Sequence, residues 1–282
     1  MKPPAFVWLN GRVLPTAEAR LSPFDHGLTV GDGVFETLPD RGRGPVALTR
    51  HWQRLVRSCE AMGIIPPSIS VFRDALREVM AANGLTDARL RFTVTAGEGP
   101  VGSDKGDAPP TLLAVAVPQT VWPAATAVVT VPWTRNERDP LAGVKSTSYG
   151  GNVIALAHAK KHGAGEAIFA NTQGDLCEGT GSNVFIVREA VALTPPLASG
   201  CLAGITRALV LEACQRAGIP VRECRLAMRE FLEAEEAFLT SSTRDVHPIL
   251  SINGRALARV PGEVTQSAAA ALAAMLTADA DA

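Results

Sequence analysis

The sequence is poor in tyrosine, lysine and cysteine. Among 282 residues, one tyrosine stands at 149, and only five lysines, at 2, 105, 145, 160 and 161, stand beside 22 arginines. The five cysteines, at 59, 177, 201, 214 and 224, are odd in number and form no C-x-x-C pair. That argues against a disulfide framework or a thiolate zinc site, predicts no metal, and fits a reducing cytoplasm. An excess of one charge is also missing: 27 basic residues balance 28 acidic ones for a net charge of −1. A general nucleic-acid binder carries a basic surplus, and an acidic disordered chain carries the opposite. No segment approaches the roughly 20 apolar residues needed to cross a bilayer. The N-terminal apolar run, Ala5 to Leu9, is too short for a signal peptide.

What is present suits a folded protein. Apolar residues make up 46% of the chain. The length predicts one large domain or two modest ones, with a substantial core. Asn10-Gly11 inside Val7–Leu14 and Asn253-Gly254 inside Ile249–Leu257 predict hairpins, because Asn-Gly accepts the positive φ of a tight turn. Strands are expected at 33–38 and 46–48, then a helix capped by Thr49. Its apolar residues Trp52, Leu55, Val56, Cys59 and Met62 recur at helical spacing up to Gly63. A helix over 70–83 and strands at 89–95 and 111–117 follow. Pro118 to Pro123 has no helical period and prolines at both ends, which suggests a linker. Beyond it the pattern predicts a strand at 127–131, a helix at 152–162, paired strands at 166–170 and 183–187, a helix at 205–217, a strand at 237–240 and an Ala-rich helix at 263–276. Strands and helices mix without βαβ alternation, which favours an α+β fold over a doubly wound sheet.

Five segments could carry chemistry. Gly97-Glu98-Gly99-Pro100-Val101-Gly102 matches the dinucleotide fingerprint, but a loop sequence follows where a helix must open, so it reads as a surface loop. Lys145 follows a short apolar run among small residues, where burial would lower its pKa and make it nucleophilic. Lys160 and Lys161 lie on a polar helix face, Lys2 is terminal and Lys105 is in the loop. Elimination therefore points to Lys145 as the lysine for covalent chemistry, and a snorkelling surface lysine is the bland alternative. Glu178 ends an apolar strand before small residues, where a carboxylate can approach a bound ring or simply face water. Gly204-Ile205-Thr206-Arg207 opens a helix whose free N–H groups suit a phosphate, or holds an ordinary Thr cap. Thr240-Ser241-Ser242-Thr243-Arg244 gathers four hydroxyls and a cation at a strand end.

Taken together, Gly31-Asp32-Gly33-Val34-Phe35-Glu36, His51-Trp52-Gln53-Arg54-Leu55, Lys145 through Asn152, Glu178 through Phe185 and Gly204 through Arg207 resemble the class IV aminotransferases. This is the fold-type IV group that uses pyridoxal 5′-phosphate. The resemblance implies a small N-terminal α/β domain over 1–118, a linker at 119–123, and a larger C-terminal cofactor-binding domain with a barrel-like sheet over 124–282. It implies a homodimer in the cytoplasm. Lys145 would be the Schiff-base lysine and the proton carrier, and Glu178 the partner of the pyridine nitrogen. Tyr149 would bond the ring O3′. Arg54, Gly204, Ile205, Thr206, Ser242 and Thr243 would hold the phosphate. Arg54 lies off the apolar stripe of its helix, which suits reaching a ligand.

The same resemblance covers several reactions. Amino transfer between a D-amino acid or (R)-amine and a 2-oxo acid comes first. An aminodeoxychorismate lyase, which eliminates pyruvate to give 4-aminobenzoate, is the alternative. A branched-chain L-amino acid aminotransferase fits less well, since one tyrosine cannot build a pocket lined by several. A nicotinamide-binding or non-enzymatic protein is the remote alternative. Phe35, Arg91 and Arg244 are the candidate substrate residues, the two arginines as carboxylate ligands because each is expected near a strand end close to the motifs.

Overall fold

The computed structural model describes residues 3–282, so Lys2 lies outside the described residues. The chain forms two compact units. The first comprises residues 1–120, 144–149 and 280–282; the second comprises 121–143 and 150–279. The split near residue 120 is crossed twice more than the sequence suggests. The Lys145 segment and the last three residues lie with the first unit, because both are hydrogen-bonded to it.

The first unit is a five-stranded antiparallel sheet under two helices. Its strands are β1 (Phe6–Leu9), β2 (Arg12–Pro15), β3 (Gly33–Asp40), β4 (Ala88–Thr95) and β5 (Thr111–Val117), in the order β2-β1-β5-β4-β3. Asn10 and Gly11 turn the first hairpin with φ of 47° and 90°. A short helix α1 (His26–Thr29) precedes β3, and α2 (Leu48–Ala61) and α3 (Ile69–Ala82) follow it. Val34, Leu38, Leu90, Phe92 and Val94 alternate onto the face that packs against Leu55, Cys59, Phe72 and Leu76. Period-2 alternation meets period-3.6 stripes there, which is what buries a helix on a sheet.

Two local expectations fail in this unit. Residues 46–48 form no strand, and the N-cap of α2 is Ala47 in left-handed conformation rather than Thr49. The cap comes instead from the far end of the chain. Asp281 Oδ1 accepts from the Thr49 N–H at 2.7 Å, and Asp281 Oδ2 accepts from the Thr49 hydroxyl. A carboxylate at a helix N-terminus satisfies an orphan donor and opposes the helix dipole. Local sequence holds no trace of a partner 232 residues away.

The second unit is built on a nine-stranded sheet. Its strands are β6 (Thr126–Arg135), β7 (Glu166–Asn171), β8 (Leu176–Gly179), β9 (Asn183–Arg188), β10 (Val191–Thr194), β11 (Val221–Glu223), β12 (Glu236–Ser241), β13 (Asp245–Ile252) and β14 (Arg255–Ala256). The order is β11-β10-β9-β12-β13-β6-β7-β8, with β14 on β13. It is a curled half-barrel sheet of mixed direction, with β6 parallel to both β7 and β13. Helices α4 (Gly150–Lys161), α5 (Ile205–Arg216), α6 (Met228–Glu233) and α7 (Glu263–Ala278) complete the unit. The two strands expected to pair do not. β7 pairs with β6 and β8, while β9 pairs with β10 and β12. Both read as apolar runs, and such runs do not name their neighbours. Val128, Ile168, Val184, Ile186, Leu239 and Ile249 fill one face of the curl.

The mixed α+β character agrees with the sequence reading, and no described helix is long and apolar enough to cross a membrane. All five cysteines are unpaired, and four are buried. Burial pushes the Cys59 thiol up to about 12 and the Cys201 thiol up to about 11, and raises those of Cys177 and Cys214. At pH 8 an aromatic disulfide reagent is therefore expected to titrate only the half-buried Cys224 in the native protein, and all five thiols after unfolding. Rapid native reaction of two or more would contradict this packing.

Candidate active site

In the first unit, β3 and α2 position the candidate groups. β3 is the edge strand, and the segment around Lys145 pairs with its open side. Phe35 N–H donates to Lys145 O at 3.0 Å, Thr147 N–H donates to Gly33 O at 2.7 Å, and Val34 and Ser146 form an antiparallel bridge. The glycines of Gly31-Asp32-Gly33 make room for this segment. A Cβ at Gly33 would sit 2.9 Å from Val94 O and 3.0 Å from Thr147 Oγ1, and one at Gly31 would sit 2.6 Å from Ser148 Oγ. Gly31 also has φ +71°, which favours glycine.

Lys145 is half-buried, with its Nζ 4.5 Å from the centre of the Phe35 ring and 6.0 Å from that of Tyr149. Phe35 and Tyr149 meet edge to face at 5.2 Å. The Arg91 guanidinium stacks 3.7 Å above the same Phe35 ring. Arg91 lies in the middle of β4, opposite Thr37, rather than near a strand end. Desolvation lowers its pKa, partly opposed by Tyr149. One aromatic ring therefore carries an amine and a guanidinium.

Arg54 lies on the buried side of α2 with His51, Leu55 and Ser58, not off it as the apolar stripe suggests. The reason is Glu36, fully buried on the core face of β3. Its Oε1 accepts from Arg54 Nε at 2.8 Å, and its Oε2 from Arg54 Nη2 at 2.7 Å and His51 Nδ1 at 2.6 Å. Burial alone would raise the Glu36 carboxyl. The charges of Arg54 and His51 and their hydrogen bonds outweigh it and hold the group well below the usual carboxylate range. Burial pushes His51 down, with Arg54 and Lys145 acting in the same direction against the pull of Glu36.

In the second unit the separate motifs converge on one another. Glu178, on β8, accepts from Leu202 N–H at 3.0 Å through Oε2, and Arg135 Nε stands 3.3 Å from Oε1. Arg135 in turn lies 4.2 Å over the Phe169 ring. Asn183 Nδ2 donates to Leu202 O at 2.9 Å, and a Cβ at Gly204 would sit 1.9 Å from Asn183 Oδ1. Only glycine fits that approach. Gly204 is the N-cap of α5 and Thr206 lies inside its first turn, so no Thr cap forms. Ile205 and Thr206 are buried, and the first-turn N–H groups have no partner within the helix. Ser242 and Thr243 sit in the turn between β12 and β13, after Thr240 and Ser241, whose buried hydroxyls have no protein partner.

Arg244 stands at a strand end, between β12 and β13, as expected. Its side chain is buried, 4.0 Å over the Trp122 ring and 3.3 Å from Glu166, and burial lowers its pKa. Glu166 also accepts from the Thr180 N–H at 3.1 Å, the Thr180 hydroxyl and the Ser182 hydroxyl at 3.0 Å. Glu166 thus offers Arg244 charge compensation, while the Arg244 Nη1 has no hydrogen-bond partner among the described residues. Sequence reasoning placed Glu36, His51 and Asn183 in its motifs without giving them a role, and missed Arg135 and Glu166. Glu36 carried a signal: a charge in the core-facing register between Val34 and Leu38. The loop after Gly97 opens no helix, so it offers no dinucleotide seat. No cluster of three or more metal-ligating side chains occurs among the described residues.

A family model described as amino-transferase class IV matches residues 33–252. A Methanocaldococcus jannaschii protein provisionally named a branched-chain-amino-acid aminotransferase is 34% identical over 266 residues, covering 92% of each chain. The D-alanine aminotransferase of Bacillus licheniformis is 30% identical, covering 94% of this chain and 95% of its own. The aminodeoxychorismate lyase of Bacillus subtilis is also 30% identical, covering 93% and 91%. Among solved structures, the branched-chain aminotransferase of Thermoproteus uzoniensis with norvaline superposes with a TM-score of 0.89 at 30% identity, covering 98% and 95%. The T.th. branched-chain aminotransferase with pyridoxamine 5′-phosphate gives 0.89 at 25% identity, covering 98% and 95%.

Because the Glu36 pKa is depressed in the folded state, the group stabilises the fold above the unfolded carboxylate value, about 4.3, and that stability is lost as pH falls toward the folded value. Urea unfolding between pH 6 and 2 is expected to show stability declining with acid. Glu36→Gln, less stable throughout, should show a shallower decline by up to one proton. An equal slope in both proteins would refute the assignment.

Proposed function

The chain belongs to the class IV aminotransferases, whose cofactor is pyridoxal 5′-phosphate, and on that premise we propose that it moves an amino group between an α-amino acid and a 2-oxo acid. The observation that carries this reading is the Phe35 ring with Lys145 and Arg91 against it. An amine for the chemistry and a cation for a substrate carboxylate are then held by one rigid aromatic group. An amine substrate has no carboxylate for Arg91, so the arrangement favours amino acids over (R)-amines. A single tyrosine cannot form a tyrosine-lined pocket for branched side chains, which leaves D-amino acids as the preferred donors.

When bound, the cofactor supplies an aldehyde carbon that takes the amino group and a ring that accepts electrons from the substrate Cα. The chain's residues divide the remaining work. Lys145 would be the amine for that aldehyde and would move the proton to and from the substrate Cα. Glu178 would face the ring nitrogen and keep it protonated. Leu202 N–H and Arg135 steady its carboxylate. Tyr149 would donate to the ring oxygen. Arg54, the Ile205 and Thr206 amides beyond the Gly204 cap, and the Ser242 and Thr243 hydroxyls would bind the phosphate, since a helix N-terminus and a guanidinium both favour an anion. Arg244 is a weaker carboxylate candidate than Arg91, because Glu166 already engages it.

A second reading, the aminodeoxychorismate lyase, is favoured by the Bacillus subtilis relative, which matches as closely as the D-alanine enzyme. One panel separates the readings. The pure protein is offered D-alanine, L-leucine and (R)-1-phenylethylamine, each with 2-oxoglutarate, and separately aminodeoxychorismate. Turnover of D-alanine with glutamate formed is expected. Pyruvate release from aminodeoxychorismate without an acceptor, and none of the transfers, would replace the proposal by the lyase. In the same assay Arg91→Ala should raise KM for the amino acid by about ten- to a hundredfold, with a smaller change in kcat. An unchanged KM would remove Arg91 from the substrate site.

A further inference from the structure

Arg54 is an unusual ligand for an anion because a carboxylate already holds it. Glu36 grips the Nε–Nη2 edge through both oxygens, at 2.8 and 2.7 Å. That side-on pairing fixes the guanidinium plane and turns the Nη1 side away from the carboxylate. His51 donates to the same Oε2 at 2.6 Å, so the carboxylate is itself oriented. All three side chains are buried, at 0% exposure for Glu36, 1% for His51 and 5% for Arg54. β3 and α2 supply them, and both are anchored in the core of the first unit.

We infer that Glu36, steadied by His51, is the positioning residue through which Arg54 binds the cofactor phosphate. The inference rests on the reading of Arg54 as a phosphate ligand. Two effects of Glu36 oppose each other. Its negative charge subtracts from the attraction of Arg54 for an anion. Its grip removes the rotamer freedom that a long side chain otherwise loses on binding, and aligns the donors before the ligand arrives. A buried guanidinium without a partner would also tend to leave the site for water, because isolated buried charge is costly. Orientation and retention outweigh the subtracted charge in this geometry, since Glu36 occupies one edge of the guanidinium only.

The test uses two ligands that differ only in the phosphate. Apoprotein is titrated with pyridoxal 5′-phosphate and with pyridoxal, following absorbance and protein fluorescence. Glu36→Gln keeps the shape and removes the charge. It is expected to weaken pyridoxal 5′-phosphate by about ten- to a hundredfold and pyridoxal by less than about twofold. Equal weakening of both ligands would make Glu36 a support of the fold alone and overturn the inference. So would an unchanged or tighter affinity for the phosphate ester. Arg54→Gln separates this from the underlying reading, because it removes the cation that a lysine would keep. If Arg54→Gln erases the preference for the phosphate ester and Glu36→Gln does not, only the inference fails. If Arg54→Gln retains that preference, Arg54 is not a phosphate ligand and both fail. Should Glu36→Gln not fold, His51→Leu removes one hydrogen bond to the carboxylate and leaves the pair in place. It should then weaken the phosphate ester alone by about threefold; no change, or an equal change in pyridoxal, would overturn the inference.

Discussion

The first unit's chemistry depends on one piece of backbone pairing: the stretch from Val144 to Tyr149 adds itself to the open side of β3. An edge strand presents unpaired N–H and C=O groups, and here they are satisfied by a segment far away in sequence. Phe35 N–H and Gly33 O make those bonds, so Lys145 takes its position from the register of β3. Successive residues of a strand face opposite ways. Phe35 therefore faces the Lys145 side, and Glu36 faces the helices. A one-residue slip would exchange them, which would carry the ring away from Lys145 and strip Arg54 of its partner. The glycines at 31 and 33 guard that register, since a side chain at either would push the added segment off.

Buried charge is the second organising feature. Each unit holds a fully buried glutamate with an arginine beside it, Glu36 with Arg54 and Glu166 with Arg244. Such pairs are poor sources of stability, because desolvating both partners cancels much of their attraction. Their presence needs another reason, and the surrounding donors suggest one. Glu166 draws in the backbone and hydroxyl of Thr180 and the hydroxyl of Ser182, the loop that directly follows Glu178. Glu36 draws in two side chains of α2. In both units the buried carboxylate ties a candidate ligand-holding segment to the core, so position rather than stability is what the pair secures.

Much of this was readable from residue order. The Asn-Gly hairpins, the helices near 70 and 205, and the strands at 89–95 and 111–117 follow local rules of turn chemistry and periodicity. The family resemblance rested on motifs that the structure gathers within each unit: Glu178, Asn183 and Gly204 through Leu202, and Phe35 with Lys145 and Tyr149. What failed was non-local. The Asp281 cap on α2 comes from the opposite end of the chain, and β7 and β9 have partners that apolar runs do not specify. Arg54 was misjudged because helical position was read from apolar residues alone. Its burial needs Glu36, and a charge pair across two elements leaves no periodic mark.

The reaction was less legible than the cofactor, and the geometry gives a reason. Residues proposed to hold pyridoxal phosphate are locked by close approaches: Gly204 against Asn183, Glu178 against Leu202, Arg54 against Glu36. Altering any of them disturbs packing as well as binding, so their types are constrained wherever the fold is kept. Phe35 and Arg91 meet across β3 and β4 on the face away from the Leu90 and Phe92 core, where Phe35 is buried but the exposed Arg91 can change without opening a cavity. On the proposed reading, the guanidinium that meets a substrate carboxylate therefore stands where the fold constrains residue type least, while the residues proposed for the cofactor, which amino transfer and elimination would share, stand where it constrains type most.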